Sequence, residues 1–291
     1  MKKMLSLALA FAMCLGLTAC GGKQNTQDQT SQSGSASSAA GSSASTSAPA
    51  DDDWAAIENS GKLKIGFTYF EPMNYIDDKG EFVGFETEFA TAVCEKLGLE
   101  PDFVEINWDS KTMELASKNI DCIWNGMTIT PELEEALTIS NPYIKNYQVI
   151  VIRADKADAY KTTADLADKT VEAEAGSAGE AAIAADENLA QAEYVSVTKQ
   201  TDALLEVKTG AADAAVMDFV LANALVGKGD YSDLMVIPEL ELSVEEYGIG
   251  FRKDSGAAEK VNEAMQALID EGTLNELAEK YELAELLLAN Q

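Results

Sequence analysis

Two stretches of this chain repeat one another, and the repeat constrains the fold more than any other feature. Residues 115–121, from Leu115 to Asp121, lead into Cys122-Ile123-Trp124-Asn125-Gly126; residues 207–213, from Val207 to Asp213, lead into Ala214-Ala215-Val216-Met217-Asp218. Each reads as a helix end, an aspartate and a short apolar strand, with Gly126 and Asp218 at equal offsets past their strands. Two short helix–strand units can also coincide in this way by chance. If the units correspond, the two halves of the chain share one architecture. Open α/β sheets take ligands beyond the carboxyl ends of their strands, so Gly126 and Asp218 then mark two walls of one cleft.

The surrounding pattern alternates strand with helix. Leu63 to Phe67 reads as a strand, and the turn signal Asp77-Asp78-Lys79-Gly80 separates Tyr75-Ile76 from Phe82-Val83. From Phe85 onward, Phe89, Ala92, Val93 and Leu97 recur at helical spacing until Gly98 stops the run. Further strands are expected at 103–106, 120–124, 149–152, 170–174, 193–197, 213–217 and 247–251. Helices are expected through 113–115 and at 178–187, 199–209, 219–226, 256–270, 273–281 and 283–289, with Gly272 as a stop and Thr273 as a cap. This alternation predicts an α/β fold with a parallel sheet covered by helices.

Composition narrows the chemistry. Among 291 residues there is no histidine, which excludes Ser-His-Asp and Cys-His triads, His-Glu-x-x-His zinc sites and a histidine general base. With 50 acidic against 21 basic side chains the net charge is −29. The chain therefore lacks the basic footprint that nucleic-acid phosphates or an anionic membrane surface require. A hydrophobic fraction of 46% marks a globular protein, of one large or two modest domains.

Residues 1–19 read as an export signal: Lys2-Lys3, an apolar run from Met4 to Leu17, then Leu17-Thr18-Ala19-Cys20. The run is too short to be preferred as a membrane span. Its ending resembles the lipobox of bacterial lipoproteins, which implies cleavage before Cys20 and lipid modification of Cys20; an ordinary secreted chain cut near Ala19 is the alternative. Cleavage removes two lysines and no acid, leaving 19 basic and 50 acidic residues, a net charge of −31. Residues 21–50 are almost wholly Gly, Gln, Thr, Ser and Ala, without Val, Ile, Leu, Met or an aromatic residue. Such a segment buries nothing and reads as a flexible tether, with a reach of about 30 Å. Cys14 leaves with the signal. Cys94 and Cys122 lie in apolar segments, as buried free thiols or as a disulfide.

Ordered motifs across residues 60–283 resemble the polar amino-acid (family 3) solute-binding proteins of ABC importers. They are Gly84-Phe85-Glu86 after the hairpin, Ile120-Asp121 through Gly126-Met127-Thr128-Ile129-Thr130-Pro131-Glu132, Ser140-Asn141-Pro142-Tyr143, Gly176-Ser177, Asp213 through Asp218, and Gly272-Thr273-Leu274 with Lys280-Tyr281. The resemblance implies a two-lobed, periplasmic-binding-protein-like fold (type II) with two crossover strands and a ligand cleft between the lobes. Lobe 1 would span about 54–150 plus 248–291, lobe 2 about 151–247, with crossovers near Ile150 to Arg153 and Tyr247 to Gly250. It also implies a monomeric receptor without enzymatic activity, cofactor or metal, lipid-anchored to the outer face of the cell membrane. That receptor captures a small polar solute, foremost an amino acid, and delivers it to an ABC permease and its ATPase. A ligand-sensing ectodomain is one alternative. An enzyme of the cyclohexadienyl-dehydratase type is another, with Glu71, Glu132 or Glu174 as nominal acid or base.

An amino acid carries an ammonium and a carboxylate, so its site must supply acceptors to one and donors to the other. By resemblance, Asp218, the Gly126 carbonyl and the Thr128 hydroxyl meet the ammonium, although Asp218 also suits a helix N-cap. Amides at Thr128 and around Ser177, at a helix start, meet the carboxylate. Phe70 is the expected aromatic over the ligand side chain. Glu71 is either a second ammonium partner or a solvated loop carboxylate. Trp108 either faces the ligand or packs in the core, and Asn125 faces the cleft while Trp124 faces the core. One departure stands out: where many relatives place an arginine for the ligand carboxylate, this chain has Leu133. Lys145, Lys199 or helix-terminal amides are the candidate replacements.

Other motifs carry less. Gly176-Ser177-Ala178-Gly179 lacks both the first glycine of a hydrolase elbow, where Ala175 stands, and a histidine to activate the serine. Gly61-Lys62 and Gly227-Lys228 lack the following Ser or Thr of a P-loop. Asp51-Asp52-Asp53 is a solvated charge run without the pattern of a calcium loop.

Overall fold

The computed structural model describes residues 52–291; the expected export signal, Cys20 and the tether through residue 50 lie outside them. Helix α1 (Asp52–Ser60) leads into strand β1 (Lys62–Phe67), the hairpin of β2 (Tyr75–Ile76) and β3 (Phe82–Val83), and helix α2 (Phe85–Leu97). In α2 the residues Phe85, Phe89, Ala90, Val93 and Cys94 share one buried face, and Gly98 ends the helix at φ +69°. Strand β4 (Glu100–Glu105), helix α3 (Lys111–Ala116), strand β5 (Cys122–Thr128), helix α4 (Pro131–Ala136) and strand β6 (Leu137–Ile139) follow. Strand β7 (Ile144–Arg153) then crosses to a second half of β8 (Thr170–Glu174), α5 (Ala178–Ala185), β9 (Glu193–Val197), α6 (Gln200–Thr209), β10 (Ala214–Asp218) and α7 (Phe219–Leu225). Strand β11 (Leu234–Arg252) returns to the first half, where α8 (Ala257–Asp270) and α9 (Thr273–Lys280) pack.

One sheet runs through both halves in the order β4-β1-β5-β11-β7-β10-β8-β9, with β6 beside β11. Parallel pairing holds within each half, β1 with β4 and β5, β8 with β9 and β10. The two crossover strands pair antiparallel with each other and with β5 and β10. The sheet is therefore mixed, where the alternation alone predicts a parallel one. The parallel triplets follow from βαβ connections, while the antiparallel centre is made by the chain passing out and back.

Several expected elements differ. Strand β11 has 19 residues, far beyond the expected 247–251, and its register with β7 shifts between Val236 and Glu241. Pro238 has no N–H for the ladder and Glu239 takes φ +60°, so the strand bulges at the point where its sequence pattern breaks. Residues 283–289 form no α-helix; a short 3-10 turn, Leu288–Asn290, stands there. Thr273 is the first residue of α9 rather than its cap, because Gly272 occupies the cap position at φ +82°. Helices α1 and α4 and strand β6 were not anticipated.

The core fills against both faces of the sheet. Trp124 is fully buried, its ring near-perpendicular to Phe89 at 5.0 Å between centroids. Cys94 and Cys122 are free and buried, and burial pushes the Cys94 thiol up to about 12. At the end of β11, Arg252 ties three elements together. Its Nε lies 2.7 Å from Asp53, its Nη2 lies 2.9 Å from Asp121, and its Nη1 donates to the carbonyls of Leu115 and Ile120.

Candidate functional site

A cavity of about 380 Å³ lies between the two halves of the sheet, within the range of small-molecule sites. Gly126 lies inside β5 and Asp218 is the last residue of β10, so neither stands past its strand as expected, yet both line the cavity and the two repeated units do meet at one cleft. Phe70, Trp108, Asn125 and Thr128 line it from the first half, and Ser177 from the second.

Asp218 occupies the N-cap position of α7, yet its carboxylate accepts no hydrogen bond from that helix. The Asn146 side-chain oxygen accepts from the Val220 amide instead, at 3.2 Å. Asp218 is thereby left to the cavity side. One of its oxygens accepts from Asn146 at 2.6 Å and Gln148 at 2.9 Å on β7, and from the Tyr247 hydroxyl at 2.8 Å on β11. The other accepts from Gln200 on α6. Donors from both crossover strands thus fix this carboxylate, so its position depends on how the halves are joined.

Gly126 has φ +56°, and a Cβ built there would lie 2.6 Å from the Phe70 ring. Only glycine allows both the backbone angle and the aromatic contact. Its amide donates to the Glu86 carboxylate at 2.9 Å, and Glu86 also accepts from Asn74 at 2.9 Å and from the Tyr143 hydroxyl. Glu86 comes from the first turn of α2 and is buried; desolvation pushes its carboxyl up to about 7. Asn125 is locked to Thr68, accepting its hydroxyl at 2.6 Å and donating to its carbonyl at 2.9 Å.

Ser177 caps α5: its hydroxyl accepts the Glu180 amide at 3.2 Å, while the Glu180 carboxylate accepts the Gly176 amide at 2.6 Å. This reciprocal cap places an acid beside the very amides expected to serve a ligand carboxylate. Gly176 has φ +70°, and its missing Cβ leaves room for Asp109 from the other half, whose carboxylate oxygen stands 3.0 Å from that point.

Glu71 does not line the cavity. The chain turns back right after Phe70, whose carbonyl accepts from Met73 at 2.7 Å and Asn74 at 2.8 Å, and Glu71 lies half-buried in the field of Asp78 and Lys228. Lys145 and Lys199 are not in the wall either; Lys199 pairs with Glu105 at 3.2 Å beside the ring of Tyr69. The basic residue that enters is Lys111, which the sequence reading missed. Glu174 also lines the wall; desolvation, with the charge of Asp218 adding, pushes its carboxyl up to about 8. Beside a Glu174 that keeps its proton, the carboxylates of Glu132, Glu180 and Asp218 face one lysine here. Such a lining favours a ligand that brings positive charge.

Residues 63–284 match the bacterial extracellular solute-binding proteins, family 3. The arginine-binding extracellular protein ArtP of Bacillus subtilis (strain 168) is 29% identical over 97% of this chain and 98% of its own length. The L-cystine-binding protein TcyA of the same organism is 28% identical over 97% of each chain. Among solved structures, the P235GK mutant of ArgBP from T. maritima superposes with a TM-score of 0.73 at 35% identity, covering 79% of this chain and 99% of that one.

Proposed function

This chain belongs to the bacterial extracellular solute-binding proteins, family 3, and we propose on that footing that it captures an amino acid in the cleft and delivers it to an ABC transporter. The observation that carries the reading is the cavity between the halves, with the Asp218 carboxylate on one wall and the Gly126 and Thr128 backbone on the other. In this reading Asp218 and the Gly126 carbonyl receive the ammonium with help from the Thr128 hydroxyl. Phe70 and Trp108 cover the side chain, and amides near Ser177 take part at the carboxylate end. Asn125 holds the Thr68 loop that carries Phe70. The acidic lining suits an amino acid with a cationic side chain, in keeping with relatives named for arginine.

The protein works by binding and release, without turnover. Lobes of about 54–150 plus 248–291 and 151–247 close on a ligand that touches both, and the permease with its ATPase reads the closed form. The Leu17-to-Cys20 ending supports a chain anchored through lipidated Cys20 on the outer face of the membrane, with residues 21–50 as its tether and a monomer as the working unit. A thermal-shift screen of the protein against the common amino acids and cystine tests the reading. At least one, with arginine foremost, raises the melting temperature; if none does, the amino-acid function is wrong.

A further inference from the structure

Leu133 lines the cavity at the place where, by the family resemblance, many relatives carry an arginine, so a ligand carboxylate finds no guanidinium there. A different element supplies a cation. Lys111, the first residue of α3, is only 8% exposed, and its ammonium enters the cavity from the first half. The ammonium donates to the Gly176 carbonyl of the other half at 2.8 Å and to the Trp108 carbonyl at 3.3 Å, and lies 4.7 Å from the centre of the Trp108 ring. Among the described residues no carboxylate stands within 4.0 Å of it; Glu174, Asp109 and Glu180 act on it only from further away.

A buried ammonium held by two neutral carbonyls is incompletely compensated, and an anion entering the cavity completes it. Its placement matches that task. Gly176 directly precedes the cap of α5, so the ammonium sits beside the helix N-terminus where backbone dipoles already favour negative charge. Because the Glu180 carboxylate takes the Gly176 amide, this helix end has fewer donors for a ligand and more need of a full positive charge.

We propose that Lys111 is the anion-binding residue of the cleft. It pairs the ligand carboxylate beside the start of α5, in place of a cation at position 133. Since the same ammonium holds Gly176 across the cleft, recognition of the carboxylate and contact between the halves pass through one atom. The inference rests on the amino-acid reading above and adds the residue that distinguishes an amino acid from the corresponding amine.

Calorimetric titration of the wild type, Lys111→Met, Lys111→Arg and Lys111→Met/Leu133→Arg tests it. Every amino acid that binds the wild type is matched with the amine lacking its carboxylate, such as agmatine for L-arginine and histamine for L-histidine. The wild type prefers the amino acid by at least about tenfold, since a buried charge-assisted pair is lost with the amine. Lys111→Met weakens the amino acid by at least about tenfold and the amine by less than about threefold. Lys111→Arg keeps the preference, and Leu133→Arg in the Met background restores it. Equal loss for both ligands in Lys111→Met, the mark of a bridge that only joins the halves, overturns the proposal. So does a wild type that binds the amine as tightly as the amino acid, an outcome that needs no variant to fold. Either result leaves amino-acid binding standing, whereas a wild type that binds no amino acid removes that reading and this one together.

Discussion

Asp218 shows how a residue of ordinary type acquires a particular role. At the start of a helix an aspartate normally caps; here Asn146 takes over that contact, and the carboxylate instead collects donors from β7, β11 and α6. Asp218→Asn keeps the shape and removes the charge, so amino-acid affinity is expected to fall by about 100-fold while the protein stays folded. Titration calorimetry beside a melting curve checks both, and unchanged affinity removes Asp218 from the site. Gly126→Ala is expected to lower stability by about 1–3 kcal/mol, because the added Cβ meets the Phe70 ring at a positive φ. Denaturant unfolding measures that loss, and a neutral result would mean that the ring moves freely. Asp218 and Gly126 could be read from the repeated units, because each closes a short apolar run that the sequence patterns as a strand. Lys111 could not be read in this way, although one signal was present: a lysine opening a helix opposes the helix dipole and so asks for a reason.

Among the elements, strands and helices with strong internal periodicity were legible to within a few residues, as α2, β8 and β9 show. Strand β11 was legible only at its buried end. Its outer part alternates weakly and is interrupted by Pro238, so pairing with β7 rather than local pattern makes it a strand. Residues 283–289 read as helical from their leucines, but Leu287 instead bridges to Ile144 at the start of β7. Arg252 binds β11 to α1 and to the loop before β5, contacts that join positions 53, 121 and 252 and leave no trace in sequence spacing. Arg252→Met leaves Asp53 and Asp121 without their partner and is expected to destabilise the protein by about 3 kcal/mol. Because these contacts lie away from the cavity lining, amino-acid affinity of the folded variant is expected to stay unchanged. A loss of affinity without a loss of stability would contradict that separation.

At the scale of the whole molecule, buried carboxyls that hold their protons tightly stand in the cleft wall at Glu174 and behind it at Glu86 and Glu245. Desolvation pushes Glu86 and Glu245 up to about 7 and Glu174 up to about 8, with the Asp218 charge adding to each. In the unfolded chain a glutamate releases its proton near pH ~4.3, so the folded form binds these protons more strongly. Their contribution to stability is therefore fully present below about pH 4.3 and is lost as the pH rises through 7 to 8. The ligand-free protein is expected to melt at lower temperature at pH 8.5 than at pH 5.5, and Glu174→Gln is expected to flatten the upper part of that slope. A melting temperature that rises across the same range contradicts the assignment. The sequence by itself determined the α/β class, the two related halves and the family, because these rest on periodicity and local motifs that neighbouring residues carry. It also located one wall residue in each half. Only the tertiary structure decided which side chains meet across the cleft, turning Glu71 away and bringing Lys111 to Gly176. The physical reason is that such a meeting depends on how two crossover strands of one sheet set the halves against each other, and the distance between positions 111 and 176 in the chain contains no information about that angle.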